Sequence, residues 1–223
     1  MAKINSLQID RDFVRRNLLK YTRQAYQMLP LLDKPRILDI GCGSGVPTIE
    51  LAKLSDGEVT ALDNDQDELN KLAERLKQEG LTDRIKILNS SIPKMNFPAE
   101  SFDIIWAEGS IFVLGFRKSL EKWGEFLKPN GFIVFHDDAI DAEAKLKLIP
   151  VCGFDPIGHF MISRETWWSE YYVPLENKIK EIIDNYQDDP KRLINIKKDQ
   201  QEIEAFKNNT NSWSSVFFIM QKK

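Results

Sequence analysis

The feature that most constrains the fold is a short apolar run that breaks into a loop with three alternate glycines. The apolar run is Ile37–Ile40, and Gly41, Gly43 and Gly45 follow it at every second position. Glycine adopts positive φ easily and, without a β-carbon, lets a ligand lie directly on the backbone. Helix-forming residues come next, so the stretch predicts a strand, a tight loop and a helix whose first N–H groups can receive a nucleotide.

The spacing of these glycines decides between kinds of nucleotide. A dinucleotide fingerprint needs a third glycine at the position of Val46, and a phosphate loop of the Walker type needs Gly-Lys followed by Ser or Thr. Neither is present. A second predicted strand at 58–62 ends in Asp63, where an acid can accept hydrogen bonds from both hydroxyls of a ribose. A nucleoside ligand is therefore expected, and an NAD-dependent oxidoreductase is the weaker alternative.

These residues resemble the class I S-adenosylmethionine-dependent methyltransferases. That family has an acid just before a G-x-G-x-G loop, here Asp39, and a second acid at the place of Asp63. Ser101–Trp106 resembles its fourth strand and Leu127–Phe132 its turn into the fifth. The resemblance covers residues 35–138 and implies S-adenosyl-L-methionine as the cofactor.

Strand and helix patterns alternate along the chain, which predicts an α/β, doubly wound, mostly parallel sheet of seven strands. An N-terminal helix precedes the sheet, and a charged helical insertion stands before the last strand. We predict a single methyltransferase domain over 1–223. Its expected parts are an N-terminal helical cap at 1–33, a cofactor-binding core at 35–138 and a C-terminal part at 139–223 with the insertion at 165–210.

Two helix faces are specified by the spacing of apolar residues. The N-terminal helix is expected to use Val14, Leu18, Tyr21, Ala25, Met28 and Leu32. The helix before the fifth strand is expected to use Leu120, Trp123, Gly124 and Leu127.

Composition limits the class of protein and of partner. Hydrophobic residues make up 42% and charged residues 29% of the 223, as in ordinary globular proteins. No run approaches the ~18 apolar residues of a membrane span, and the start lacks a signal-peptide pattern, so we expect a cytoplasmic protein. The net charge is -3 without a basic segment, which makes nucleic acid an improbable partner. The two cysteines suit neither a disulfide framework nor a metal site.

The cofactor site is expected along one edge, because open α/β sheets bind ligands at the carboxyl ends of their strands. Ser91 stands where the family commonly has an Asp that accepts from the adenine amino group. Here a serine hydroxyl or the backbone near Ile92 would have to accept the hydrogen bond from the adenine amino group. The predicted cofactor-binding residues are Asp39, Gly41, Cys42, Gly43, Gly45, Asp63, Asn64, Ser90, Ser91, Ile92 and Glu108.

Methyl transfer from a sulfonium requires mainly that donor and acceptor are held in line, close and dry. A general base is needed only where the acceptor loses a proton. The predicted catalytic residues are Glu108, His136 and Asp137; the alternative for His136 is a hydrogen-bonded structural role. We predict no metal, the alternative being a magnesium ion held by Glu108, Asp137 and Asp138.

An aromatic run, Trp167–Tyr172, opens the insertion. We assign Trp168 and Tyr172, together with Tyr21, to the pocket of a small-molecule acceptor; the alternative is that the run anchors the insertion by burial. Ala107–Ser110 lacks the proline and aromatic set with which enzymes methylate the amino groups of bases. Small-molecule methyl transfer is therefore predicted first, transfer to protein or RNA second, and a non-catalytic cofactor-binding module third. The acceptor atom stays open among N, O, S and C.

Overall fold

The computed structural model of the chain describes residues 9–186, 196–209 and 213–223. In these residues seven strands form one sheet in the order β3-β2-β1-β4-β5-β7-β6. The strands are Arg36–Ile40 (β1), Glu58–Asp63 (β2), Ile85–Asn89 (β3), Phe102–Glu108 (β4), Leu127–Asp138 (β5), Phe154–Ile162 (β6) and Ser215–Lys222 (β7).

The helices among the described residues are Asp12–Asn17 (α1), Leu19–Gln27 (α2), Val46–Leu54 (α3), Gln66–Glu79 (α4), Phe116–Gly124 (α5), Ala142–Val151 (α6), Arg164–Trp167 (α7), Val173–Tyr186 (α8) and Ile196–Asn208 (α9). Short 3₁₀ turns cover Ile92–Lys94 and Ile111–Val113, and a π-helical turn covers Trp168–Tyr172. None of the described helices is long and apolar enough to cross a membrane.

The strand pairing gives the sheet one functional edge. β1 pairs in parallel with β2 and β4, β2 with β3, and β4 with β5. β5 pairs antiparallel with β7. The predicted α/β, seven-stranded, mostly parallel sheet is confirmed, and the carboxyl ends of its parallel strands meet at one edge.

The centre of the sheet is apolar on both faces, as parallel strands covered by helices require. Ile133, Val134 and Phe135 in β5 are fully buried. Trp123 of α5 packs edge-on against Phe135, with ring centroids 5.4 Å apart. Burying each such side chain contributes roughly 1.5–3 kcal/mol, which makes the strands a rigid support for the loops at their ends.

Local sequence signals define α4. The side chain of Asp65 accepts hydrogen bonds from the backbone N–H groups of Asp67 and Glu68, at 3.0 and 3.2 Å. This caps the first turn. Gly80 ends the helix with φ +68°, a left-handed conformation that favours glycine. Both limits of α4 are therefore set by local sequence signals.

Two predicted helix faces are wrong in part. α5 ends at Gly124, and Leu127 instead begins β5, where it pairs with Phe102. The chain between them turns within two residues, so the helical spacing cannot continue. The N-terminal helix is divided at Leu18 into α1 and α2. Leu32 lies beyond the end of α2, whose buried residues are Thr22 and Ala25.

The chain divides into two compact units. The sheet unit consists of Leu19–Met161 and Ser215–Lys223, and holds all of the glycine loop and the carboxyl edge. The helical unit consists of the residues up to Leu18 and of Ile162–Ser214. The single domain with the expected parts stays a prediction.

The helical unit has its own apolar core, to which the aromatic run contributes. Its buried residues include Val14, Leu175, Ile203 and Phe206. The guanidinium of Arg11 forms ion pairs with Asp199 and Glu202 in the same unit. The unit therefore combines an apolar interior with a charged cluster of its own.

Candidate functional site

The glycine loop follows β1 in a conformation that glycine adopts most readily. Gly41, Gly43 and Gly45 have φ values of +79°, +51° and +82°, in the region that L side chains rarely occupy. The N–H of Gly41 donates to the carbonyl of Leu62 in β2, at 2.7 Å. The loop is therefore anchored across the carboxyl ends of two neighbouring strands.

Close packing also requires glycine at two of these positions. A β-carbon on Gly41 would lie 2.5 Å from Cβ of Ser110, and one on Gly45 would lie 2.2 Å from Cδ1 of Leu72. Ser110 is itself fixed, because its hydroxyl donates to the carbonyl of Ile40 at 2.6 Å. The loop thus packs tightly between the end of β4 and α4.

Asp63 links the tip of β2 to the glycine loop. Its Oδ2 accepts from the N–H of Gly43 at 2.8 Å. Its Oδ1 accepts from the N–H groups of Asn64 and Asp65 at 2.7 and 2.9 Å. A carboxylate has about four acceptor positions, so the side chain is fixed in direction and keeps capacity for a ligand hydroxyl.

Asp39 is a buried carboxylate directly behind the loop. It is 2% exposed, and the hydroxyl of Thr48 donates to its Oδ2 at 2.6 Å. Burial raises the pKa of Asp39 to about 7; the Thr48 hydrogen bond opposes this rise, and the charges of Glu108 and Asp63 add to it. Negative charge therefore gathers at this edge.

Glu108, at the end of β4, is held by two donors on one oxygen. Nε1 of Trp106 and Oγ1 of Thr22 donate to its Oε1 at 2.8 and 2.9 Å. Burial raises the pKa of Glu108 to about 6, while the two hydrogen bonds oppose the rise. The carboxylate is fixed in direction and titrates closer to neutrality than an ordinary glutamate.

His136, in β5, is held beside Glu108 as a neutral imidazole. Its ring stacks on Phe217 with centroids 4.2 Å apart, and its Nε2 lies 2.8 Å from Oγ of Ser215. Burial lowers the pKa of His136 to about 4. Its Nδ1 is 3.9 Å from Oε2 of Glu108, beyond hydrogen-bond distance. The imidazole is therefore a weak base at neutral pH, and its catalytic role stays a prediction.

The other predicted acids are compensated by a cation. Nζ of Lys145 lies 2.7 Å from Oδ2 of Asp137 and 2.9 Å from Oδ1 of Asp138. Within residues 9–186, 196–209 and 213–223, no group of three or more His, Cys, Asp or Glu side chains is arranged to hold a metal ion. Asp137 is thus tied into an ion pair, and its catalytic role stays a prediction.

The residues predicted to face adenine follow the ends of β2 and β3. The N–H of Ser90 donates to the carbonyl of Asp63 at 2.9 Å, which places the two strand ends side by side. Ser91 precedes the 3₁₀ turn that begins at Ile92. Asn64 follows Asp63 directly. The structure therefore brings this group together at the same edge as the glycine loop.

Cys42 is buried within the loop. Its thiol is 3.6 Å from the carbonyl of Gly43, and burial raises its pKa well above the usual range. The thiol is therefore protonated. The backbone N–H of Cys42 donates to the carbonyl of Leu62 at 3.0 Å, so Cys42 helps to fix the loop against β2.

The three residues assigned to the acceptor pocket lie in different units. Tyr21 belongs to the sheet unit, where its ring centroid is 6.5 Å from that of Phe160. Trp168 and Tyr172 belong to the helical unit, where both rings pack on Phe206 with centroids 5.7 and 4.1 Å away. Tyr172 is 4% exposed. The burial of Trp168 and Tyr172 against Phe206 agrees with the alternative that the aromatic run anchors the insertion. The acceptor pocket stays a prediction.

Thr22 and Trp106 were not predicted as site residues. Trp106 lies in an apolar strand and looks like core, although a buried indole N–H normally has a hydrogen-bond partner. The glutamate two residues later could have suggested one. Thr22 lies 86 positions from Glu108, so no local signal connects them.

Residues 37–131 match the family described as a methyltransferase domain. The 27-O-demethylrifamycin SV methyltransferase of Amycolatopsis mediterranei (strain S699) is 30% identical over 111 residues, which cover 49% of this chain and 41% of that protein. The sterol 24-C-methyltransferase erg-4 of Neurospora crassa is 33% identical over 97 residues, which cover 43% and 26%. The chain therefore spans less than half the length of these curated relatives.

Among solved structures, the fold is similar to that of a SAM-dependent methyltransferase from Thiobacillus denitrificans in complex with S-adenosyl-L-homocysteine. The TM-score is 0.73 at 17% identity, covering 97% of this chain and 100% of the other. Residues 37–131 therefore match a methyltransferase domain, and the fold is similar to that of the class I S-adenosylmethionine-dependent methyltransferases. S-adenosyl-L-methionine is the cofactor of this class.

The site fits this cofactor in shape and charge. The left-handed glycine loop leads directly into the N-terminus of α3, and Asp63 at the tip of β2 retains acceptor capacity. Asp39 and Glu108 are carboxylates with which no Lys or Arg pairs in the described part of the chain. S-adenosylmethionine carries a sulfonium and an ammonium group, which would compensate part of this negative charge.

Proposed function

We propose that this protein transfers the methyl group of S-adenosylmethionine to a small-molecule acceptor. One observation carries the proposal: Asp63 closes the left-handed glycine loop through the N–H of Gly43, beside the uncompensated carboxylate of Asp39. This is a preformed acceptor of hydroxyls and positive charge on a fixed backbone. Preformed sites lose little free energy to reorganisation on binding.

The cofactor supplies an electrophilic methyl group, and the residues of this chain bind and orient it. Asp63 would accept from the ribose, the glycine loop would hold the nucleoside, and Asp39 would compensate the positive end. Ser90, Ser91 and Ile92 would hold the adenine. With little covalent chemistry required of the protein, positioning and exclusion of water supply most of the catalysis.

The acceptor is expected above the ends of β4 and β5. Large apolar side chains stand exposed in the loops that follow these strands: Phe112 is 79% exposed and Ile140 55%. Apolar walls with a few convergent polar groups are the usual composition of small-molecule sites. The two curated relatives are named for a rifamycin and a sterol substrate, which also favours a small molecule. A cytoplasmic location agrees with this function.

Two measurements test the proposal. Calorimetry should give binding of S-adenosylmethionine and of S-adenosylhomocysteine, and no binding of NAD. Incubation of the protein with cell extract and the cofactor labelled in its methyl group should place the label in the small-molecule fraction. Label in protein or RNA would support the second prediction of the sequence instead. Tight cofactor binding without any transfer would support the non-catalytic module.

A further inference from the structure

Negative charge at the carboxyl edge is concentrated around Glu108, and the cations on the neighbouring elements are paired elsewhere. β1 contributes Asp39 and the tip of β2 contributes Asp63, whose charges both act on this edge. β5 contributes His136, which burial keeps neutral. Lys145, the cation near the end of β5, is held between Asp137 and Asp138. α2 contributes the hydroxyl of Thr22. Its two cations are engaged elsewhere, since Arg23 pairs with Glu50 and Nζ of Lys20 lies over the ring of Tyr21.

The two oxygens of Glu108 have different surroundings. Oε1 accepts from both Trp106 and Thr22. Near Oε2, among the described residues, is Nδ1 of His136 at 3.9 Å. Trp106 is fully buried and Thr22 is 1% exposed, so the two donors are rigid. One oxygen is occupied by the protein, and the other, in a side chain that is 17% exposed, retains acceptor capacity.

We propose that the acceptor is an amine, that Oε2 of Glu108 receives its positive charge and its proton, and that Thr22 and Trp106 are positioning residues for that carboxylate. This inference rests on the proposed methyl transfer. The proton leaves the ammonium for Oε2, the freed nitrogen lone pair forms the bond to the methyl carbon, and the electrons of the broken C–S bond remain on sulfur. Charge and atoms balance without a further reactant.

The electrostatics select an amine over other acceptors. A carboxylate or phosphate acceptor would lie beside the ionised Oε2 of Glu108 and would be repelled by it. An aliphatic ammonium resembles lysine, which loses its proton near pH ~10. This lies much closer to the raised pKa of Glu108 than the pKa of an aliphatic alcohol does. Proton transfer to a base is most efficient when the two pKa values are close.

Nuclear magnetic resonance tests the positioning without any turnover. The indole N–H of Trp106, which donates to Glu108, can be identified among the five tryptophans because its resonance is lost in Trp106→Phe. Its shift should titrate with a midpoint near the pKa of Glu108, about 6. Thr22→Val removes a donor that stabilises the charged form, so the midpoint should rise by about one pH unit.

Matched variants separate positioning from general damage to the fold. Thr22→Ser retains the hydroxyl and should restore the midpoint. Ser119→Ala removes another fully buried hydroxyl, which has no hydrogen-bond partner among the described residues, and should leave the midpoint unchanged. Glu108→Gln should abolish the titration. An unmoved midpoint in Thr22→Val, or an equal shift in Ser119→Ala, would overturn the positioning role.

The chemical class of the acceptor can be tested by measuring the binding of three ligands of similar shape to the complex with S-adenosylhomocysteine. At pH 7.5 benzylamine should bind at least about tenfold more tightly than benzoate, with benzyl alcohol between them. Glu108→Gln should weaken benzylamine about tenfold and leave benzyl alcohol unchanged. Equal binding of benzoate, an unchanged affinity in Glu108→Gln, or no response to benzylamine up to its solubility would each overturn the inference.

The same samples separate this inference from the proposed function. Calorimetric binding of S-adenosylhomocysteine with failure of the amine probe overturns only the amine acceptor. Failure to bind S-adenosylhomocysteine overturns the methyl-transfer proposal itself.

Discussion

At the scale of single residues, Asp63 offers the sharpest test of the cofactor site. Its three hydrogen bonds to backbone N–H groups fix the carboxylate. If it also accepts from the ribose, Asp63→Ala leaves the ligand hydroxyls unpaired. We expect the affinity for S-adenosylmethionine to fall by about 1.5–3 kcal/mol, as for hydrogen bonds to charged groups. Titration calorimetry on the folded variant measures this loss.

The neighbouring Asp65 provides the control. Asp65→Ala removes the cap of α4 and should lower stability by about 1 kcal/mol, with cofactor affinity intact. Undiminished binding in a folded Asp63→Ala protein would remove Asp63 from the site.

Gly41 tests whether the loop needs glycine for its shape and for its packing. Gly41→Ala combines φ +79° with a β-carbon 2.5 Å from Cβ of Ser110. Gly153→Ala has a similar φ of +84° but open space around the new carbon, so it should cost only the ~1–2 kcal/mol of backbone strain. Thermal melting should therefore show a larger loss for Gly41→Ala. Equal losses of stability in the two variants would show that Ser110 moves aside at little cost in free energy.

The sequence predicts those site residues whose meaning is local. The glycine spacing and the acids at the ends of β1 and β2 are read from neighbours along the chain, and the structure places them around one loop. Thr22, one of the two donors to Glu108, comes from a segment 86 positions away. A hydrogen bond over that distance leaves no periodic trace, so Thr22 could not be connected with Glu108 from the sequence. Lys145 follows Asp137 closely along the chain, but no spacing rule marks it as the cation that pairs with this acid.

At the scale of secondary-structure elements, the periodicity of apolar residues predicts whether a segment is a helix or a strand better than it predicts where the element begins and ends. The seven strands and the cap of α4 follow from alternation, apolar runs and capping residues. The apolar spacing of three and four that runs from Val14 to Leu32 is nevertheless divided at Leu18. Val14 is buried in the core of the helical unit, while α2 buries Thr22 and Ala25 in the sheet unit. A pattern that fits one helix can thus serve two elements with separate cores.

The aromatic run makes a prediction at this scale. Tyr172 is 4% exposed and packs on Phe206 and Trp213, with centroids 4.1 and 5.9 Å away. Truncating a buried aromatic to alanine costs about 3–5 kcal/mol, so Tyr172→Ala should lower the melting temperature clearly. Tyr172→Phe keeps the ring and loses only the 3.3 Å hydrogen bond to Glu202, so it should melt close to the wild type.

The same two variants distinguish the two interpretations of the aromatic run, the acceptor pocket and the anchoring of the helical unit. A Tyr172→Ala protein with an unchanged melting temperature but an altered KM for the acceptor would favour the pocket. A destabilised protein with normal turnover per folded molecule would favour anchoring of the helical unit.

At the scale of the whole molecule, the buried acids link stability to pH. Asp39 titrates near 3.8 when unperturbed and near 7 in the folded state, and Glu108 moves from 4.5 to about 6. Between those values the folded state binds more protons than the unfolded state, so stability falls as pH rises. His136, lowered from 6.5 to about 4, has the opposite sign and acts only below pH 6.5.

Above pH 6.5 the remaining contribution is chiefly that of Asp39, which defines the last prediction. Between pH 6.5 and 8 the ligand-free protein should lose about 1 kcal/mol of stability as Asp39 loses its proton. For a chain of this size that corresponds to a fall in Tm of about 2–4 °C. Asp39→Asn should flatten the dependence of stability on pH, because an amide does not titrate.

A positively charged ligand stabilises the ionised carboxylate of Asp39. The rise in Tm caused by S-adenosylmethionine should therefore grow from pH 6 to pH 8. It should grow more than the rise caused by S-adenosylhomocysteine, which lacks the sulfonium charge. Differential scanning fluorimetry over this range measures both slopes. A wild-type slope that persists in Asp39→Asn would place the titrating group elsewhere.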